Sequence, residues 1–183
     1  YQISGNISGL PSDNIYLSSI YGSKYKIIDS TKSSGGSFVF ELSNQHQPGV
    51  YKLMLSKPVA NKPSPELDII FNREDISFSS DYNYLYDSLV IINSRENRIY
   101  YDFLKEENEF QKRLELLHPL IIHFPKDDKL YNDLSDRYNQ LQDERTVFIE
   151  QIINKNPGTY AARIVKMYKS PFLDAYSTES ERI

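Results

Sequence analysis

The sequence predicts an α+β fold, an N-terminal antiparallel β-sandwich over residues 1–93 followed by a helical module built on a long-helix hairpin over residues 94–183. Three observations predict it. Up to about residue 92, short β-branched and aromatic runs alternate with turn chemistry at the spacing of about 8–12 residues that marks sandwiches and barrels. Near Ser94 the apolar period changes from two to about 3.6. Beyond that point two long apolar stripes flank a proline-containing break.

The strand runs are Tyr1 to Ile7, Ile15 to Tyr21, Tyr25 to Thr31, Ser37 to Leu42, Val50 to Leu55, Leu67 to Phe71, Ile76 to Ser79 and Leu89 to Ile92. Gly9-Leu10-Pro11, Gly22-Ser23, Ser33-Ser34-Gly35-Gly36 and Pro48-Gly49 separate the first five. The stretch Pro58 to Pro65 holds three prolines. Proline donates no ladder hydrogen bond, so a surface loop is expected there. Ser94 is a cap-type residue before Ile99, Phe103, Phe110, Leu114 and Leu117, which share one helical stripe. Pro119 is expected to end or kink that helix. The second stripe is Leu130, Leu134, Tyr138, Leu141, Phe148 and Ile152, ended by Asn156-Pro157-Gly158. Thr159 then caps a shorter helix to about Lys169, and Pro171 stops it. Helices of about 25 residues span about 37 Å, so they bury their stripes largely on each other, turning near His118 to Lys126. The polar stretch Gln142 to Arg145 is expected to face water or another domain.

Composition narrows the function classes. There are 15 Tyr and 9 Phe but 2 Met, no Trp and no Cys, so aromatic rings supply much of the burial. Net charge is −4, with 7 basic against 7 acidic residues in 1–80 and 14 against 18 in 81–183. Neither half makes the basic footprint of a nucleic-acid binder. Without cysteine these residues hold no disulfide, thiolate zinc site or redox thiol pair. No apolar run is long enough to span a membrane. The chain starts in strand-like sequence and ends in a polar tail, Ser177 to Arg182, so the native protein is expected to continue.

The candidate chemistry is sparse. His118 and His123, near Asp127 and Asp128, are five residues apart with a proline between, which does not put two imidazoles on one helical face. They read as loop or helix-end histidines, and His46 sits in a polar loop. Glu106, Glu107, Glu109, Asp133, Asp136, Asp143 and Glu144 read as solvated helical faces, not as an acid and base pair needing separated pKa values. There is no nucleophile elbow and no phosphate loop, and Gly35-Gly36 reads as a hairpin turn. No cofactor is implied, and the sequon Asn6-Ile7-Ser8 carries no weight. One surface stands out. In Asp81 to Asp87, Tyr82, Tyr84 and Tyr86 recur at period two, expected to present three rings on one sheet face toward sugars, peptides or a neighbouring domain. The plainer alternative packs them along an edge strand or against the first helix.

The runs Ile3 to Leu10, Ile15-Tyr16-Leu17, Ile28 to Thr31, Gly36 to Phe40 and Pro48 to Leu53 resemble an uncharacterised N-terminal accessory domain. That domain precedes thioredoxin-like domains in bacterial envelope proteins of the thiol-disulfide oxidoreductase and alkyl hydroperoxide reductase type. Ile69 to Ile76 is similar to the strand that closes its sheet region, and Ser94-Arg95-Glu96-Asn97 to the step that opens its helical connector. Asn156 to Ala162 resembles the start of the connector's last helix. The resemblance implies a non-catalytic accessory region serving dimerisation or the presentation of substrate or partner. The family's Cys-x-x-Cys would lie in a domain after Ile183. It also implies a periplasmic or outer-membrane-associated place in the envelope, a downstream thioredoxin-like domain or a homodimer as partner, and room for a lipid anchor upstream of Tyr1. The competing expectation is a stand-alone envelope binding or adhesion module using the Tyr82 to Tyr86 surface.

Overall fold

Strands form where side chains alternate between a dry and a wet face. In the computed structural model, which describes residues 1–21, 24–57 and 64–169, these are β1 (Gln2–Ser8), β2 (Asn14–Tyr21), β3 (Lys24–Lys32) and β4 (Ser37–Glu41). They continue as β5 (Gly49–Met54), β6 (Glu66–Phe71), β7 (Ile76–Asp81) and β8 (Val90–Asn93). The helices are α1 (Arg95–His123), α2 (Lys129–Lys155) and α3 (Tyr160–Lys166). The α+β class with strands first and helices after is therefore observed. The expected proline loop falls mostly on residues 58–63, and Pro171 and the polar tail on 170–183, all outside the described residues.

Two four-stranded sheets result, ordered β4-β1-β7-β8 and β3-β2-β5-β6. One pairing corrects the expected antiparallel scheme: β1 and β7 run parallel, Ile3 opposite Ile76 through Ser8 opposite Asp81. Short turns dictate antiparallel neighbours only between consecutive strands, and these two are far apart in sequence. Ile3, Ile7, Phe38, Phe40, Ile76 and Phe78 of the first sheet, and Ile15, Leu17, Leu53, Leu67, Ile69 and Phe71 of the second, are almost wholly buried. Gly5 is required by that packing. A Cβ there would stand 2.3 Å from Cζ of Phe38, so the glycine makes room for the ring. Gly36, at φ 83°, is required twice, since a Cβ would also meet the Ile7 carbonyl oxygen at 2.4 Å.

The chain divides into two compact units after Arg98, so the first turn of α1 belongs with the strands. Its anchoring explains this. Wholly buried Asn97 accepts the Ile70 N–H at 2.9 Å and donates Nδ2 to the Ile70 carbonyl at 2.8 Å. The Ser94 hydroxyl accepts the Asn97 N–H at 3.0 Å, and the Glu74 carboxylate accepts the N–H groups of Arg95 and Glu96. A side-chain oxygen at the start and a carboxylate over the first turn are what an N-terminus rewards.

In the second unit α1 and α2 pair antiparallel. Phe103 stacks on Phe148 at 5.8 Å, and His118, later in α1, meets Tyr138, earlier in α2, at 6.4 Å. The linker is residues 124–128, with Asp128 capping α2 through the Leu130 N–H. Helix α1 passes through Pro119 without ending. The proline sits in the last turn, on an exposed face where the carbonyl it leaves unbonded can meet water. Thr159 caps α3 through the Ala162 N–H. Phe103, Ile149 and Val165, one from each helix, form the buried centre. Ile149, outside the residues named for the expected stripe, is buried because it packs with Phe103 of α1 and Val165 of α3.

The polar stretch of α2 needs a correction. Arg145 is buried against Glu107, which also belongs inside and not on a solvated face: their side chains are 8% and 7% exposed. Arg145 Nε donates to both carboxylate oxygens, at 3.0 and 2.9 Å, and Nη2 donates to Glu107 Oε1 at 2.7 Å and to the Tyr168 carbonyl at 3.0 Å. Gln111 adds an amide donor at 2.8 Å. Buried charges persist only with such partners.

Candidate functional site: an aromatic and charged patch on the second sheet

The segment Tyr82 to Tyr86 is not a strand. Tyr82–Tyr84 form a single 3-10 turn and residues 85–88 continue turning, so the three rings cannot share a sheet face. The cause is competition from short polar side chains for the backbone. Asp81 Oδ1 accepts the Asn83 N–H at 2.9 Å, and Ser88 Oγ accepts the Asp81 N–H and donates to the Tyr84 carbonyl, each at 2.8 Å. Ser80 Oγ donates to the Leu85 carbonyl at 2.7 Å, while the Leu85 side chain is buried beneath. The Ser8 hydroxyl, 2.6 Å from Asp81 Oδ2, and the Asn83 backbone hold the Asp81 carboxyl below its usual range. A depressed acid contributes to the turn at neutral pH and loses that contribution as pH falls through its folded value.

The braced turn separates the three tyrosines. Tyr82 is half-buried, Tyr84 is 65% exposed, and Tyr86 is 58% exposed with its hydroxyl donating to the Glu66 carbonyl at 2.8 Å. Tyr86 therefore arrives at β6, where a second group of residues waits. Lys52 on β5 lies opposite Asp68 on β6 and opposite Ser18 on β2, which in turn faces Ile27 on β3. Lys52 Nζ is 2.6 Å from Glu66 Oε1, 3.0 Å from Asp68 Oδ1 and 5.7 Å from the centre of the Tyr25 ring. Burial acts to lower the ammonium, but its hydrogen bonds to Glu66 and Asp68 raise it well above the usual lysine range. Burial, with Asp68 nearby, pushes the Tyr86 phenol up, so it stays a neutral donor. Tyr25 is 57% exposed, and Ile20 and Ile27 beside it on the sheet are also exposed. Ser18 is wholly buried, its hydroxyl without a partner among the described residues.

The arrangement is two exposed rings, Tyr86 held by its hydroxyl and Tyr25 beside the ammonium, flanking a lysine clamped between two carboxylates. Of the tyrosines singled out by period, only Tyr86 joins it. Tyr25, Lys52, Glu66 and Asp68 were missed, although Glu66 and Asp68 alternate on one strand beside a lysine on a predicted neighbour, which is the available signal. His118 and His123 are exposed helix residues. Among the described residues no three His, Asp or Glu side chains cluster as metal ligands.

Residues 1–100 match the family described as domain of unknown function (DUF4369), more than half of the chain. The chain belongs to the DUF4369 family. The matched DUF4369 segment runs from Tyr1 through all eight strands and the Asn97 anchor, and it contains the whole patch. No curated protein and no solved structure matches the chain. No helix among the described residues is long and apolar enough to cross a membrane.

Proposed function

We propose that this chain is the non-catalytic accessory region of a bacterial envelope thiol-disulfide oxidoreductase, whose thioredoxin-like domain lies beyond Ile183. In this reading the DUF4369 unit serves to present a partner or substrate, and the helical unit offers a surface for a second copy or the following domain. The observation that carries it is the braced turn. Three serine and aspartate side chains are spent on fixing a loop whose rings remain more than half exposed at Tyr84 and Tyr86. Exposed aromatics held in place are a common basis of partner recognition, because little side-chain freedom remains to be lost. Leu116, Ile122 and Val147, at 72%, 61% and 52% exposure, supply apolar surface on the helices. The second reading, a stand-alone envelope binding or adhesion module, draws on the same exposed rings.

The non-catalytic half is checked directly. Thiol-disulfide exchange runs through a thiolate, and the chain has no cysteine. In insulin reduction with dithiothreitol, the 183-residue chain is expected to match the protein-free blank. A rate clearly above the blank contradicts the reading.

A further inference from the structure

We infer that the outer face of the sheet β3-β2-β5-β6 around Tyr25, Lys52, Glu66, Asp68 and Tyr86 binds a saccharide. This rests on reading the aromatic surface as a binding face and names the ligand class it takes. A sugar ring offers an apolar C–H face and a rim of hydroxyls that both donate and accept. The patch offers the complement of each. The rings of Tyr25 and Tyr86, 57% and 58% exposed, give flat apolar area with little internal freedom. Glu66 and Asp68, each still partly exposed, are carboxylate acceptors on the edge strand β6 beside Tyr86, and hydrogen bonds to charged groups are roughly twice as strong as neutral ones.

The face is also organised in advance. Tyr86 is held by its own hydroxyl on the Glu66 carbonyl, and Lys52 is fixed by two carboxylates at 2.6 and 3.0 Å while approaching the Tyr25 ring. The cost of ordering the Tyr86 and Lys52 side chains is thereby largely avoided on binding. Other ligand classes fit less well. Lys52 cancels one of the two carboxylates, so the cluster retains a single negative charge, too little to select a polycation. It lacks the basic surface a nucleic acid needs. An apolar protein partner would have to cover three charged groups at the centre of its interface, where charge is depleted.

The test uses the whole chain, isotope-labelled for aromatic NMR, with cellotetraose, maltotetraose and N-acetylchitotetraose as probes and tetra-arginine as the competing class. At least one tetrasaccharide is expected to shift the ring signals of Tyr25 and Tyr86. Tyr25→Ala and Glu66→Gln are each expected to weaken that binding about tenfold or more. Glu115→Ala, at an exposed position of α1, leaves it unchanged. Tyr25 is exposed on an edge strand, so its variant keeps the test open even where Tyr86→Ala fails to fold. Ring signals unmoved by every tetrasaccharide, or moved by tetra-arginine alone, overturn the proposal. Such a result leaves the accessory reading intact, since that reading falls on a different observation, the absence of a cysteine pair from the native polypeptide.

Discussion

Replacing Arg145 by methionine is expected to cost the helical unit about 3–5 kcal/mol, the range for removing one member of a buried ion pair. The Glu107 carboxylate would remain inside with only the Gln111 amide, and the Tyr168 carbonyl would lose its donor. Replacing both Glu107 and Arg145 by methionine is expected to recover most of the loss. Apolar pairs of similar volume are often no worse than the charges they replace. Denaturant unfolding followed by circular dichroism reads this as a midpoint that falls in the single variant and returns in the double one. Equal midpoints for the single variant and the parent would contradict the buried pair.

Asn97→Leu is the second large effect. On β6, Ile70 points its N–H and C=O away from β5, and the Asn97 amide satisfies both. Leucine would leave them unpaired in a wholly buried site, at about 1–3 kcal/mol for each group. It would also free the first turn of α1 from the strand unit. The expected result is a lower unfolding midpoint together with faster hydrogen exchange at the Ile70 amide. An Ile70 amide still protected in the variant would show that the anchor lies elsewhere.

These two sites also mark what was legible in the sequence. Ser94 announced a helix start, and all eight strand runs stood out because a period of two and glycine or proline turns are local signals. Strand pairing at a distance is not local, so the parallel neighbours β1 and β7 were hidden. Tyr82 to Tyr86 misled because period two is only a strand signal where the backbone is free to extend, and Ser80, Asp81 and Ser88 take it up in a turn. Glu107 left a trace. It fills the seven-residue gap between Phe103 and Phe110 in the first stripe, while Arg145 sits midway between Leu141 and Ile149 at helical spacing. A charge inside each of two facing stripes is a signal for a buried pair. The patch left less, because Tyr25 and Lys52 carry no signal of their own until the sheet order brings them beside Glu66 and Tyr86.

The central claim is that these residues are an accessory part of a larger redox protein. The most direct measurement is intact-mass analysis and peptide sequencing of the native polypeptide, captured from its own cells with antibodies against this chain. The account predicts a mass well above 21.4 kDa and a Cys-x-x-Cys after Ile183, placed between a strand and a helix. A polypeptide that ends at Ile183, or one that continues without a cysteine pair, would contradict it.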